Sequence, residues 1–252
     1  MNFAEQVVLV TGGSRGIGRA IALEFAGKGA SVVVQYRSDE TAARQTLGAL
    51  PAGAHTALRA DVSDPLEVRS LVDRIIDDFG RIDVLVNNAG VYEAHPVLDT
   101  SYEQWQDSWR RTIDTNLIGP ANLIHAAVPH MVSAGGGRIV NISSRGAFRG
   151  EPTHAAYGAS KAGLNSLGQS MAGALAPFGI YVTGVAPGFV ETDMAAPYLD
   201  APGGDAIRAQ SPMNRAATPE EIAQVVVFLA TPGAESTTGA IVDVNGASYL
   251  RT

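Results

Sequence analysis

The chain contains no cysteine, which excludes disulfides, thiolate catalysis and cysteine-based zinc sites. Lysine is nearly as scarce: Lys28 and Lys161 are the only lysines among 18 basic residues, and arginine fills every other cationic position. No apolar span approaches the roughly eighteen residues of a membrane helix without Gly or polar interruption, and no cationic, apolar leader opens the sequence. A soluble, cytoplasmic protein without a membrane partner is therefore expected. The formal charge of -7 leaves no basic surface for nucleic acid. The five histidines lack metal-ligand spacing, with Pro129 between His125 and His130 and no carboxylate beside them, so no metal site is expected. Also missing are internal repeats and any Pro/Gly/Ser-rich linker, so residues 1–252 read as one domain.

What is present begins with Tyr157 and Lys161, four residues apart in AAYGASKAG, and Ser144, which ends GRIVNISS thirteen residues before the tyrosine. On a helix, positions i and i+4 share a face. Two unit charges about 5 Å apart interact by roughly 3 kcal/mol at an effective dielectric near 20. That is about two pKa units, so the ammonium is expected to draw the phenol toward neutrality, where a general acid or base works best. An ammonium is compact and titratable, whereas a guanidinium is planar and holds its proton. A lysine kept at 161 in so arginine-rich a chain points to chemistry rather than to surface decoration.

The amino-terminal run Gln6 to Val10 reads as a buried strand. Thr11-Gly12-Gly13-Ser14-Arg15-Gly16-Ile17-Gly18 follows, and then an amphipathic helix to about Lys28. Glycines at this junction turn amide protons toward an anion at a helix N-terminus, so Gly12, Ser14, Arg15, Gly16, Ile17 and Gly18 are candidate nucleotide contacts. The next strand, Ser31 to Tyr36, ends without a carboxylate where a dinucleotide fold meets the adenosine ribose. The chain instead offers Arg37 and Ser38, with Arg15 nearby, which favours NADP(H) over NAD(H). The opposing reading turns Asp39 or Glu40 inward to the ribose. Asp61-Val62, at the end of a third strand, suits the adenine edge, and Asn87-Asn88-Ala89-Gly90 follows a fourth. Strand-like runs near 6, 31, 55, 83, 138, 181 and 241 alternate with helical segments. They predict an α/β Rossmann fold, a seven-stranded, doubly wound parallel sheet flanked by helices on both faces.

Together TGGSRGIG, the 87–90 NNAG, Asn116 in DTNLIG, Ser144, Tyr157-x-x-x-Lys161 and PGFVETDM at 187–194 resemble the short-chain dehydrogenase/reductase family over essentially the whole chain. The closing TTGAIVDVNG is similar to the 3-oxoacyl-[acyl-carrier-protein] reductases within it. The resemblance implies that Ser144 holds the substrate oxygen, Tyr157 transfers the proton, and Lys161 lowers the tyrosine pKa while holding the nicotinamide ribose. It implies that Asn116 binds a water linking Lys161 to solvent. It further implies that Val190 and Thr192 fix the nicotinamide carboxamide, that Pro187 and Gly188 bind the cofactor, and that Asn87, Ala89 and Gly90 flank it.

One departure stands out. The carrier-protein reductases present basic side chains where this chain has Ala134-Gly135-Gly136 and Pro177-Phe178, and a charge of -7 disfavours steering of an acidic carrier. A small ketone, aldehyde or secondary alcohol is the expected substrate, with the carrier-bound 3-oxoacyl group as the alternative and a non-catalytic cofactor-sensing protein as the competing class. Substrate walls are expected from 91–97, 145–154 and a flap over 189–213; Arg145 and Arg149 read either as binders of an acidic substrate or as solvated loop residues. Lys161 is the only charge in the helix from about 156 to 178, and 115–134 has no Asp, Glu, Lys or Arg. A helix without a charged face is usually buried all round, so self-association is expected, and the resemblance implies a homotetramer.

Overall fold

The computed structural model describes residues 1–251. Seven strands, β1 (Val7–Val10), β2 (Ser31–Tyr36), β3 (Thr56–Arg59), β4 (Val84–Asn87), β5 (Gly137–Ile142), β6 (Ile180–Pro187) and β7 (Ile241–Val244), form one sheet. Its order is β3-β2-β1-β4-β5-β6-β7, and every pairing is parallel.

A parallel sheet must be covered on both faces, and the apolar alternation shows how. Val8 and Val10 of β1 turn to one side, where they meet Ile21 and Phe25 of α1 (Gly16–Ala26) and Ile222 and Val226 of α10 (Pro219–Leu229). Val7 and Leu9 turn to the other, against Leu71 and Ile75 of α3 (Pro65–Phe79) and Leu123 of α5 (Gly119–Ser133). Each fully buried Val, Leu, Ile or Phe side chain contributes about 1.5–3 kcal/mol, so both faces are needed to hold the central strands. Helix α2 (Glu40–Ala49) covers the β2 and β3 edge.

The remaining helices are α4 (Tyr102–Ile113), α6 (Gly146–Arg149), α7 (Ala155–Leu175), α8 (Ala196–Leu199) and α9 (Gly204–Arg208). Between α4 and α5 the chain makes a π-turn over Asp114–Ile118 that carries Thr115 and Asn116 inward. Gly119 lets this turn lie against the third strand's end, since a Cβ there would stand 2.7 Å from the Val62 carbonyl oxygen. After β3 the chain returns to the far side of β1, so strand order reverses between β1 and β4. Ligands in doubly wound sheets lie across the strand carboxyl ends at that reversal.

The helix whose only charge is Lys161 is not buried all round within one chain. One side of α7 buries Ser160, Lys161, Leu164 and Gly168, while Ala159, Ala162, Ser166 and Gln169 face solvent. No described helix is long and apolar enough to cross a membrane.

Candidate active site

A cleft of about 550 Å³ runs over the carboxyl ends of the strands. At one end lie the glycine turn, with Gly12, Ser14, Arg15, Gly16, Ile17 and Gly18, and the β2 end, with Arg37 and Ser38. Asp61, Val62, Ala89 and Gly90 continue the wall, and Ser144, Tyr157, Lys161, Pro187, Gly188, Val190 and Thr192 close the other end.

Buried polar side chains fix the nucleotide end. The Gln35 Oε1 accepts from the Gly12 amide at 2.9 Å, and its Nε2 donates to the Ala60 carbonyl at 2.6 Å, so one amide ties three strand ends together. Thr11 Oγ1 accepts from the amides of Asn88 and Ala89 at 2.9 and 3.0 Å. Asp39 lines the cleft beside Arg37 and Ser38, and its Oδ1 caps α2 by accepting from the Ala42 amide at 2.9 Å. Glu40 is engaged with Arg44. Burial raises the Asp61 carboxyl, but hydrogen bonds from Ser63 and the Arg37 and Arg59 charges outweigh it and hold the group below its ordinary range.

Asn87 ends β4 opposite Asn141 of β5, donates to that residue's Oδ1 at 2.8 Å, and is 2 % exposed. Side chains alternate along a strand, so the next residue, Asn88, reaches the cleft and donates to the carbonyls of Thr11 and Gly12 at 2.8 and 3.2 Å. Asn116 also stands behind the wall. Its Nδ2 donates to the Val91 carbonyl and Ser160 Oγ at 3.0 and 3.1 Å, and its Oδ1 accepts from the Val91 amide at 2.9 Å. Both amide protons are thus committed, and the side chain positions the loop that carries Gly90.

The sequence arithmetic for the tyrosine fails for a physical reason. The Lys161 ammonium donates to the Ile142 carbonyl at 2.8 Å and lies 5.7 Å from the Tyr157 ring centroid. Burial disfavours both charged forms. It lowers Lys161 to about 8 and pushes Tyr157 up to about 12, with the Ser144 hydroxyl opposing the latter and the Glu151 charge adding to it. Desolvation is thus the largest influence on both groups, and Tyr157 stands here as a protonated donor. Ser144 Oγ accepts from the Gly146 amide at 3.0 Å, which leaves its own proton for another acceptor.

Comparisons with known proteins show the family. A family described as enoyl-(acyl carrier protein) reductase matches residues 12–247. The 3-oxoacyl-[acyl-carrier-protein] reductase of Staphylococcus aureus strain Mu50 is 39 % identical over 244 residues, 96 % of this chain and 97 % of that protein. That of Escherichia coli K12 is 39 % identical over 250 residues, 99 % of this chain and all of its own. A short-chain dehydrogenase from Burkholderia cenocepacia J2315, solved in complex with NADP, superposes with a TM-score of 0.90 at 33 % identity, covering 98 % of this chain and 99 % of that one. The chain belongs to the short-chain dehydrogenase/reductase family. It is an NAD(P)-dependent oxidoreductase acting on carbonyl or alcohol groups.

In this dehydrogenase/reductase the end of the cleft beside Tyr157 is walled by aromatics from the three segments expected to line the substrate. Tyr92 packs edge-on against Tyr157, with centroids 4.7 Å apart, and stacks on His154 at 3.8 Å. His154 is 3 % exposed and shares hydrogen bonds of 2.9 Å with Thr153 Oγ1 and with the hydroxyl of Tyr198 on α8. The histidine thus latches the 189–213 segment to the Tyr92 wall. Burial, with a smaller contribution from His95, lowers His154 to about 4. A depressed folded value means that the unfolded chain binds the proton more readily, so this group's stabilisation is complete above about 6.5 and is lost as pH falls toward 4. Thermal melts from pH 7 to 4 should therefore fall more steeply for the wild type than for His154→Asn, and parallel curves would reject the latch.

Proposed function

We propose that the chain interconverts a small ketone or aldehyde and its alcohol, with NADP(H) preferred over NAD(H). The observation that carries this reading is the meeting of Ser144, Tyr157 and Lys161 in the same cleft as Arg15 and Arg37. The residues present suit the cofactor. The amides at the α1 N-terminus and the Arg15 and Arg37 guanidiniums match phosphates, Glu40 is paired with Arg44 while Asp39 caps α2 through Oδ1, and Ala89, Gly90 and Gly188 leave a flat wall. A bound nicotinamide supplies or accepts the hydride.

The side chains handle the oxygen. Ser144 donates a hydrogen bond to the carbonyl oxygen while Tyr157 passes it a proton, and the Lys161 ammonium steadies the phenolate that remains. In oxidation the proton returns to Tyr157. Positioning and electrostatics, rather than covalent chemistry, are the protein's contribution.

A carrier-bound 3-oxoacyl group is the second reading, supported by the names of the relatives at 39 % identity. Against it stand the absent basic side chains at Ala134-Gly135-Gly136 and Pro177-Phe178 and the charge of -7. The uncharged, solvent-facing side of α7 supports association with further copies, in the homotetramer that the resemblance implies.

Cofactor oxidation at 340 nm with ketones, 3-oxoacyl thioesters, sugars and steroids tests the reading. Small ketones should turn over, and NADPH should bind at least tenfold more tightly than NADH. Binding of NADPH without oxidation by any carbonyl would defeat the enzymatic assignment, and equal affinity for both cofactors would defeat the NADP preference.

A further inference from the structure

Arg145 follows Ser144 directly, and its environment differs from that of the other arginines. Its amide donates to the Pro187 carbonyl at 2.9 Å, which pins the residue between the ends of β5 and β6. Its side chain lines the cleft, although the residue is only 3 % exposed. The guanidinium lies 5.2 Å from the Phe189 ring centroid and makes a single hydrogen bond, from Nη2 to the neutral Gln210 Oε1 at 2.6 Å.

Elsewhere, partly buried arginines are matched with carboxylates: Arg138 with Glu235 at 2.7 Å, and Arg215 with Glu221 at 2.6 Å. No such ion pair reaches Arg145 among the described residues. Glu151, the carboxylate most deeply set in this part of the cleft, approaches Arg149 at 3.9 Å, and Glu93 is paired with Arg111 at 2.8 Å. A cation held out of water without a counter-ion is costly. A guanidinium whose face rests on an aromatic ring keeps its edge for a planar acceptor, and a carboxylate fits that edge with two parallel hydrogen bonds.

We propose that Arg145 recognises a carboxylate on the substrate, so that the preferred substrate is a short oxo acid or the matching hydroxy acid. This rests on, and narrows, the carbonyl-reducing function above. Ser144 and Arg145 line the same cleft, so a single substrate bearing both groups can present its oxygen to one and its carboxylate to the other, and the chain lengths compared below read how far apart they are held. Arg149, whose Nη1 shares the Gln210 Oε1 at 3.4 Å, is set against Glu151 at 3.9 Å, which leaves one uncompensated positive charge and suits a monoanion rather than a phosphate dianion.

The test uses 2-, 3- and 4-oxo acids (pyruvate, acetoacetate and levulinate), each against its methyl ester. Binding to the NADP+-loaded protein is followed by calorimetry, and turnover is followed with NADPH. At one chain length or more, the acid should bind at least tenfold more tightly than the ester and show a correspondingly higher kcat/KM. Arg145→Gln should erase that ratio, and Arg145→Lys should keep part of it. Gln210→Ala, which removes the guanidinium's one hydrogen-bond acceptor among the described residues, should retain the ratio. If Arg145 merely tethers the 189–213 segment, Gln210→Ala would change the ratio as Arg145→Gln does, and the proposal fails. It also fails if acid and ester bind equally at every length, whether or not esters and neutral ketones are turned over. Turnover of those neutral carbonyls would then leave the broader function standing, whereas a binding gap without turnover would fault the function and keep the site.

Discussion

Tyr157→Phe is expected to lower kcat by about 10²–10⁴-fold, the usual contribution of a positioned general acid, while NADPH affinity changes by less than threefold. The substitution removes one oxygen and keeps the ring. The edge-on contact with Tyr92 at 4.7 Å therefore survives, and the fold has no reason to relax. Only the proton donor to the carbonyl oxygen disappears. Because burial holds Tyr157 near 12, the phenol is almost fully protonated at neutral pH in this state, and no ionisation step limits its use as an acid. Pre-steady-state reduction of a ketone by the variant gives the cleanest reading. A rate within tenfold of the wild type would show that the proton comes from elsewhere.

Gly18→Ala is the second large effect, and it acts through the backbone. A Cβ at position 18 would stand 2.2 Å from the Gly12 carbonyl oxygen and 2.5 Å from Asn88 Nδ2. The asparagine can swing aside, at the loss of its bonds to Thr11 and Gly12, but the carbonyl cannot move without displacing the glycine turn. Overpacking of this kind costs about 1–3 kcal/mol, or roughly 2–4 °C per kcal/mol in a protein of this size. The turn's amides also lose their aim, so NADPH affinity should fall at least a hundredfold. Gly48→Ala is the control. It lies in α2 with nothing within 4 Å of its built Cβ, and alanine favours the helix by about 1 kcal/mol. Calorimetric melting and NADPH titration of both variants decide the matter; an unchanged Kd for Gly18→Ala would mean that the loop does not hold the nucleotide as argued.

The strands and the glycine turn were legible because buried parallel strands are continuous apolar runs that end at turn residues, as VVLV does before Thr11 and Gly12. Ser144 and Tyr157-x-x-x-Lys161 were legible because helical spacing and a strand end fix where such side chains can point. Three things were not. That Asn88 lines the cleft depends on strand register, in which one residue exchanges the faces. The tyrosine's titration depends on desolvation, which exists only once the pocket is assembled. The aromatic wall joins Tyr92, His154 and Tyr198 from three distant segments, and no local pattern links them. Arg145 and Arg149 looked alike in sequence, yet the first turn of α6 buries one and exposes the other.

The scarcity of lysine has a practical corollary. The chain offers two side-chain amines to acylating or aldehyde reagents. Lys28 lies on the surface, paired with Glu24 at 2.8 Å. Lys161 is sheltered at 4 % exposure and titrates near 8. The sheltered amine lines the cleft, so a reagent approaches it from that side. Covalent modification at that one position becomes a footprint of whatever occupies the cleft, read by mass spectrometry against Lys28 as an internal standard.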